Sequence, residues 1–147
     1  MNTPHIIINI ILLLYLLCSS YKDIKTKTIP IKTSIFIAIV CFVANIFIYN
    51  IKFTYIIMWM LKGCTVGFVL LLLALITKEN IGYGDGLIFL IIGIGTGFEN
   101  TILTCSLAFI LTSIIAILLL LFRHKKNTTI PFVPFICIGY VIQFFLI

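Results

Sequence analysis

An all-α bundle of about six transmembrane helices is the fold class this sequence predicts, and three observations predict it. Of 147 residues, 63% are apolar and only 10% charged, against about half and a quarter in an ordinary soluble domain. The apolar residues are gathered into long runs separated by short lysine-bearing stretches. The length also fits: crossing a hydrocarbon core of roughly 30 Å takes about 20 helical residues, so six crossings use about 120 positions. The remainder is too short for a second soluble domain, a nucleotide-binding module or an extramembrane enzyme. Residues 1–147 therefore read as a single integral-membrane domain, and any chemistry sits in or at the edge of the bilayer.

The elements follow in chain order. The run from His5 to Ser20 lacks a basic n-region and a small-residue cleavage site, and Lys22 and Lys25 follow it, so it is expected to be retained as the first transmembrane helix. A second run covers Thr33 to Tyr49 and a third Gly63 to Thr77. The aromatic stretch from Phe53 to Leu61 is too short to cross, and either lies at the interface or extends the third helix. Gly86 to Phe98 holds thirteen residues and reads as a half-helix or thin spot. The fifth run spans Thr101 to Phe122, and the sixth, Ile130 to Ile147, opens with Pro131 and Pro134.

The net charge of +6 follows topology rather than a nucleic-acid partner. With six crossings, one face collects Lys22, Lys25, Lys27, Lys32, Lys78, Arg123, Lys125 and Lys126, and the other only Lys52 and Lys62. The positive-inside rule then places the first group in the cytoplasm, beside anionic headgroups, and both chain ends outside. Cys18, Cys41, Cys64, Cys105 and Cys137 stand singly in apolar runs without a CxxC pair, so they read as small core residues rather than disulfide or zinc ligands.

Four acids remain to carry chemistry. Asp23, Glu79 and Asp85 fall on the cytoplasmic face, and Glu99 on the other, beside Asn100. Asp85 lies in Gly82-Tyr83-Gly84-Asp85-Gly86, which runs straight into an apolar segment. A carboxylate there is costly unless it faces a bundle interior or a wet cavity. Asp23 alone would pass for a solvated acid answering Lys22 and Lys25. Should the first and fourth helices touch, however, two carboxyl groups meet in one cleft. One can then take a proton from water while the other, protonated, polarises a carbonyl and later serves the leaving amine. Such a pair shares one proton and needs no Ser, Cys or His nucleophile, no metal and no cofactor.

These residues carry a resemblance. Asp23 followed six and seven residues later by Ile29-Pro30 resembles the first catalytic-aspartate motif of the type IV prepilin peptidases. Gly82-Tyr83-Gly84-Asp85 is similar to their GxGD motif, and Ile130-Pro131-Phe132-Val133-Pro134 to the proline segment that opens their last helix. The resemblance implies a GxGD intramembrane aspartyl protease with Asp23 and Asp85 as its dyad. It implies that Gly82, Gly84, Pro30 and Pro131 shape the active-site loops, and that the substrates are prepilin-like or pseudopilin precursors cut behind a short basic leader. The zinc motif and long cytoplasmic domain of the bifunctional members are missing, so no N-methyltransferase activity is expected. Three positions depart from the common pattern: Ile31 where Asn follows Ile-Pro, Leu87 where Lys follows the second aspartate, and Val133 where Gly lies between the prolines. A small ion- or proton-coupled transporter component and a non-catalytic scaffold are the competing readings of the same acids.

The other candidates carry less. His5 and His124 are lone interfacial histidines, and Glu79 is answered by Lys78. Phe53, Tyr55 and Trp59 read as an interfacial belt. Gly63 and Gly67 signal close helix packing, and Lys25 and Lys27 contact with anionic lipid or an acidic substrate residue. The glycine-rich segment before Asp85 is expected to be an extended strand that pairs with the substrate.

Overall fold

The computed structural model describes residues 3–48, 53–77, 82–122 and 131–146. Its elements are six helices: α1 (Thr3–Thr26), α2 (Ile31–Ile48), α3 (Phe53–Ile76), α4 (Tyr83–Thr96), α5 (Phe98–Phe122) and α6 (Val133–Leu146). Spans of α1, α3 and α5 are long and apolar enough to cross a membrane. Together with the shorter apolar α2, α4 and α6 they make an all-α, polytopic membrane protein.

Boundaries differ from the sequence reading in instructive ways. α1 continues past Ser20 and carries Lys22 and Asp23 in its last turns. It ends where Lys27 takes φ 52°, a left-handed conformation that reverses the chain after a helix. Pro30 then supplies the carbonyl that opens α2, accepting from the Ser34 amide at 3.0 Å and the Thr33 hydroxyl at 2.9 Å. The Phe53 to Leu61 stretch extends the third helix, which is continuous from residue 53. α4 starts at Tyr83, three residues before the apolar run, because Gly82 in extended conformation (φ −65°, ψ 125°) is its N-cap. At 14 residues α4 is about 21 Å long, well under a full bilayer core.

Lipid is as apolar as leucine, so close approach and interhelical hydrogen bonds hold such a bundle together. α3 and α4 meet through glycine. A Cβ on Gly63 would collide with the Gly93 carbonyl, and one on Gly67 with the Leu90 backbone. A Cβ on Gly86 would stand 2.8 Å from Leu71 Cγ, so the two helices are antiparallel. α6 packs on α5 with Gly139 against Thr104 and Ala108. Buried polar contacts fix the other registers: Tyr15 Oη to Ser34 Oγ at 2.7 Å joins α1 to α2, and Asn45 donates to the Ile94 carbonyl at 2.9 Å between α2 and α4. Tyr140 donates to Asn9 at 2.9 Å between α6 and α1. Leu12, Leu16, Ile88, Phe89, Ile92 and Ile136 fill the interior between them.

Cys41 and Cys137 are buried, as expected of small core residues, whereas Cys18 is exposed on the outer surface of α1. Trp59 is half-buried and packs over Gly97, which has φ 81° between α4 and α5. That is a structural seat beyond the interfacial role expected of it. Lys52, Lys78, Glu79, Arg123, His124, Lys125 and Lys126 lie outside the described residues.

Candidate active site

The alternation of helices brings one end of each together, and Asp23 and Asp85 share that end. Asp23 is buried, at 9% exposure, one turn before α1 ends. Its Oδ2 accepts a hydrogen bond from the Val133 amide at 3.1 Å, across 110 residues of sequence. That amide belongs to the first residue of α6, where the N–H groups have no partner inside the helix. Pro131 and Pro134 have no N–H of their own, and the amides of Phe135 and Ile136 turn back to the Phe132 carbonyl. Among the described residues of this turn, the Val133 N–H is thus the donor turned on Asp23.

Asp85 occupies the third position of α4, half-buried, its amide bonded to the Gly82 carbonyl at 3.1 Å. Its carboxyl folds back over the N-cap: a Cβ on Gly82 would stand 3.1 Å from Asp85 Oδ2. A carboxylate suits the first turn of a helix, where unpaired N–H groups present positive charge. α1 packs against α4, and the two aspartates stand at the same end of that helix pair, where like charges on both would repel. The first and fourth helices touch, as the sequence reading requires, and the N-terminal ends of α4 and α6 lie at the end of the bundle that carries the two aspartates.

Two flanking elements complete the site. Ile29, the residue before Pro30, lies over Gly84 so closely that a Cβ there would collide with Ile29 Cδ1. Phe132 packs its ring between Phe89 and Phe109, with centroids 6.4 Å and 5.3 Å away, and so pins the start of α6. The expected extended strand before Asp85 is not what forms among the described residues. Tyr83 and Gly84 belong to the first helical turn, and only Gly82 is extended. Gly84 therefore has a packing reason for lacking a side chain, the approach of Ile29.

The remaining candidates are placed as follows. Pro30 caps α2 beside the site, and Pro131 precedes α6. Ile31 is 60% exposed on the outside, Leu87 is half-buried, and Val133 is fully buried under its bond to Asp23. Lys25 lies over the Tyr21 ring of its own helix, 6.0 Å from the centroid. Glu99 is exposed in the first turn of α5, at the opposite end of the bundle. Sequence reasoning missed Ile29 and Val133 as site residues. The two prolines around Val133 were the available signal, since they remove competing donors.

The model of the type IV leader peptidase family matches residues 10–117, most of the chain, and includes both aspartates. The chain belongs to that family. No curated protein and no solved structure matches it. The chain is accordingly a peptidase in general outline, with the long apolar helices of a membrane protein. The matched region stops before Pro131 and α6, so the bond from Val133 to Asp23 lies outside it.

Proposed function

We propose that this protein is an intramembrane aspartic endopeptidase that removes the short basic leader from type IV prepilin-like or pseudopilin precursors at the cytoplasmic face of the membrane. One observation carries the reading: Asp23 and Asp85, 62 residues apart, lie at the same end of two helices that pack together, within a chain of leader peptidase type. Membership of the family supports a peptide substrate. The excess of lysine and arginine on the loops at the aspartate end supports its placement in the cytoplasm.

With Oδ2 held by Val133, Oδ1 of Asp23 is the oxygen left to address a water. One carboxylate removes a proton from that water as its oxygen attacks the scissile carbonyl, while the protonated partner donates to the carbonyl oxygen. Collapse of the tetrahedral species breaks the C–N bond, and the amine leaves with a proton from the carboxyl groups. Water, two carboxyls and the amide balance the reaction with no covalent intermediate and no cofactor.

Co-expression with candidate precursors tests this, with leader removal read as a mobility shift. Wild type cleaves, and Asp23→Ala and Asp85→Ala each abolish cleavage while accumulating normally in the membrane. Cleavage by either variant overturns the dyad. Ion flux through the reconstituted protein, with Asp→Glu variants retaining part of it, would support the transporter reading instead.

A further inference from the structure

The described surroundings of the aspartates leave little room for a peptide. Asp23 is buried, and the Val133 amide already holds one of its oxygens. A scissile carbonyl must nevertheless come within hydrogen-bond reach of both carboxyl groups, roughly 3 Å or one water away, so part of the cover has to move. Two described segments supply that cover, the turn of residues 27–30 between α1 and α2 and the start of α6, and they are held unequally. α6 begins with Val133 fully buried and bonded to Asp23, and with the Phe132 ring lodged between Phe89 and Phe109. The turn has less. Lys27 and Thr28 are exposed, Lys27 takes a left-handed conformation, and the amides of Thr28 and Ile29 make no backbone hydrogen bond. A segment with exposed backbone and few buried apolar contacts is the first to open.

The anchor of this turn over α4 is Ile29, half-buried against the edge of the core. It rests on Gly84, the residue before Asp85: a Cβ on Gly84 would stand 2.8 Å from Ile29 Cγ1 and 2.9 Å from Ile29 Cβ. Tyr83 and Asp85, on either side, carry side chains, and Gly82 lies under the Asp85 carboxyl. Gly84 is therefore the point on the first turn of α4 where another backbone can come closest to that carboxyl. In the free protein an isoleucine of the same chain occupies it.

We propose that the scissile peptide docks on Gly84 and that Ile29 is a resident plug which the peptide displaces. Docking there rests on the peptidase reading above and specifies the point at which the substrate meets α4. The turn is tied at its two ends, where the Asp23 carbonyl accepts from the Lys27 amide at 2.9 Å and the Pro30 carbonyl from the Ser34 amide at 3.0 Å. Ile29 lies between these ties, so it can lift without unwinding α1 or α2. Because the peptide binds only the open form, its apparent affinity is lowered by the fraction of protein that is open, and a weaker plug tightens binding.

Kinetics of leader removal by the purified full-length protein test the plug. Ile29→Ala is expected to lower KM about tenfold, since the shortened side chain loses most of its contact with the seat, and kcat/KM rises accordingly. A fall in kcat with KM unchanged overturns the plug and makes Ile29 a positioning residue for Asp85. Thiol labelling gives a second readout that needs no turnover. In a cysteine-free background, Ile29→Cys is expected to react with a water-soluble maleimide about tenfold more slowly than the exposed Thr28→Cys beside it, because the seat is closed most of the time. Equal rates overturn the closed seat. In the same background carrying Asp85→Ala, which binds precursor without cutting it, saturating precursor raises the Ile29→Cys rate toward that of Thr28→Cys. A slower or unchanged rate with precursor retained on the protein overturns displacement. If wild type cuts no precursor and Asp85→Ala retains none, the peptidase reading fails and peptide docking with it, whereas the two rates in the free protein still decide whether Ile29 closes the seat.

Discussion

At Val133 a main-chain amide does what sequence inspection assigns to side chains, and a proline substitution separates the two. Val133 is the first residue of α6, a position where proline fits a helix because that N–H lacks an intrahelical partner. Val133→Pro should therefore preserve α6 yet delete the donor to Asp23 Oδ2. Val133→Ala keeps the donor and removes similar packing, so it serves as the reference. A hydrogen bond to a charged group contributes about 1.5–3 kcal/mol. If its role is to hold Asp23 in register with the water, kcat should fall roughly 10- to 100-fold in the proline variant relative to the alanine one. KM should differ little between them, and the melting temperature of the proline variant should fall by the several degrees that loss of such a bond entails. Equal kcat in the two variants would reduce the bond to a structural tie.

Among elements, the α3–α4 pair is the one on which the position of Asp85 depends. Gly63 and Gly93 touch backbone to backbone, and a carbonyl cannot turn aside as a side chain does. Gly63→Val is thus expected to drive the helices apart and lower stability by several kcal/mol, read as loss of a cooperative thermal transition in detergent. Gly84→Ala meets only the Ile29 side chain, so it should be milder in stability, and Ile29→Ala should restore part of any activity it loses. The Gly63/Gly67 spacing announced this interface in the sequence, as the lysine-flanked apolar runs announced all six helices. The boundaries were less legible. Gly82-Tyr83-Gly84 resembles a loop by composition, yet an N-cap needs only one extended glycine, and the next two residues join the helix. The aspartate pair could be named from its motifs, but its third partner is an amide of residue 133, and no residue type marks an amide.

On the scale of the whole molecule, unequal helix lengths decide how water meets the aspartates. α4 and the described α6 hold 14 residues each, about 21 Å, while α1, α3 and α5 hold 24, 24 and 25, about 36–38 Å. Phe109 packs on Phe132 at the start of α6, and α5 then runs on to Phe122, about 20 Å farther, with no charged residue and with Thr112 and Ser113 bonded back to their own helix. The aspartates therefore lie below the level reached by α5, and a hydrolytic site there requires a water-filled recess above the short helices. Single cysteines in a cysteine-free background give the check. Gly82→Cys, at the mouth of α4, should react with a water-soluble, membrane-impermeant maleimide added to inside-out vesicles. Ile114→Cys and Ile117→Cys, on the exposed surface of α5 beyond the same level, should stay unlabelled because lipid covers them. Labelling of Gly82→Cys only from the opposite side would invert the proposed orientation. Its absence from both sides would leave the carboxyl pair dry and unable to supply the water that hydrolysis consumes.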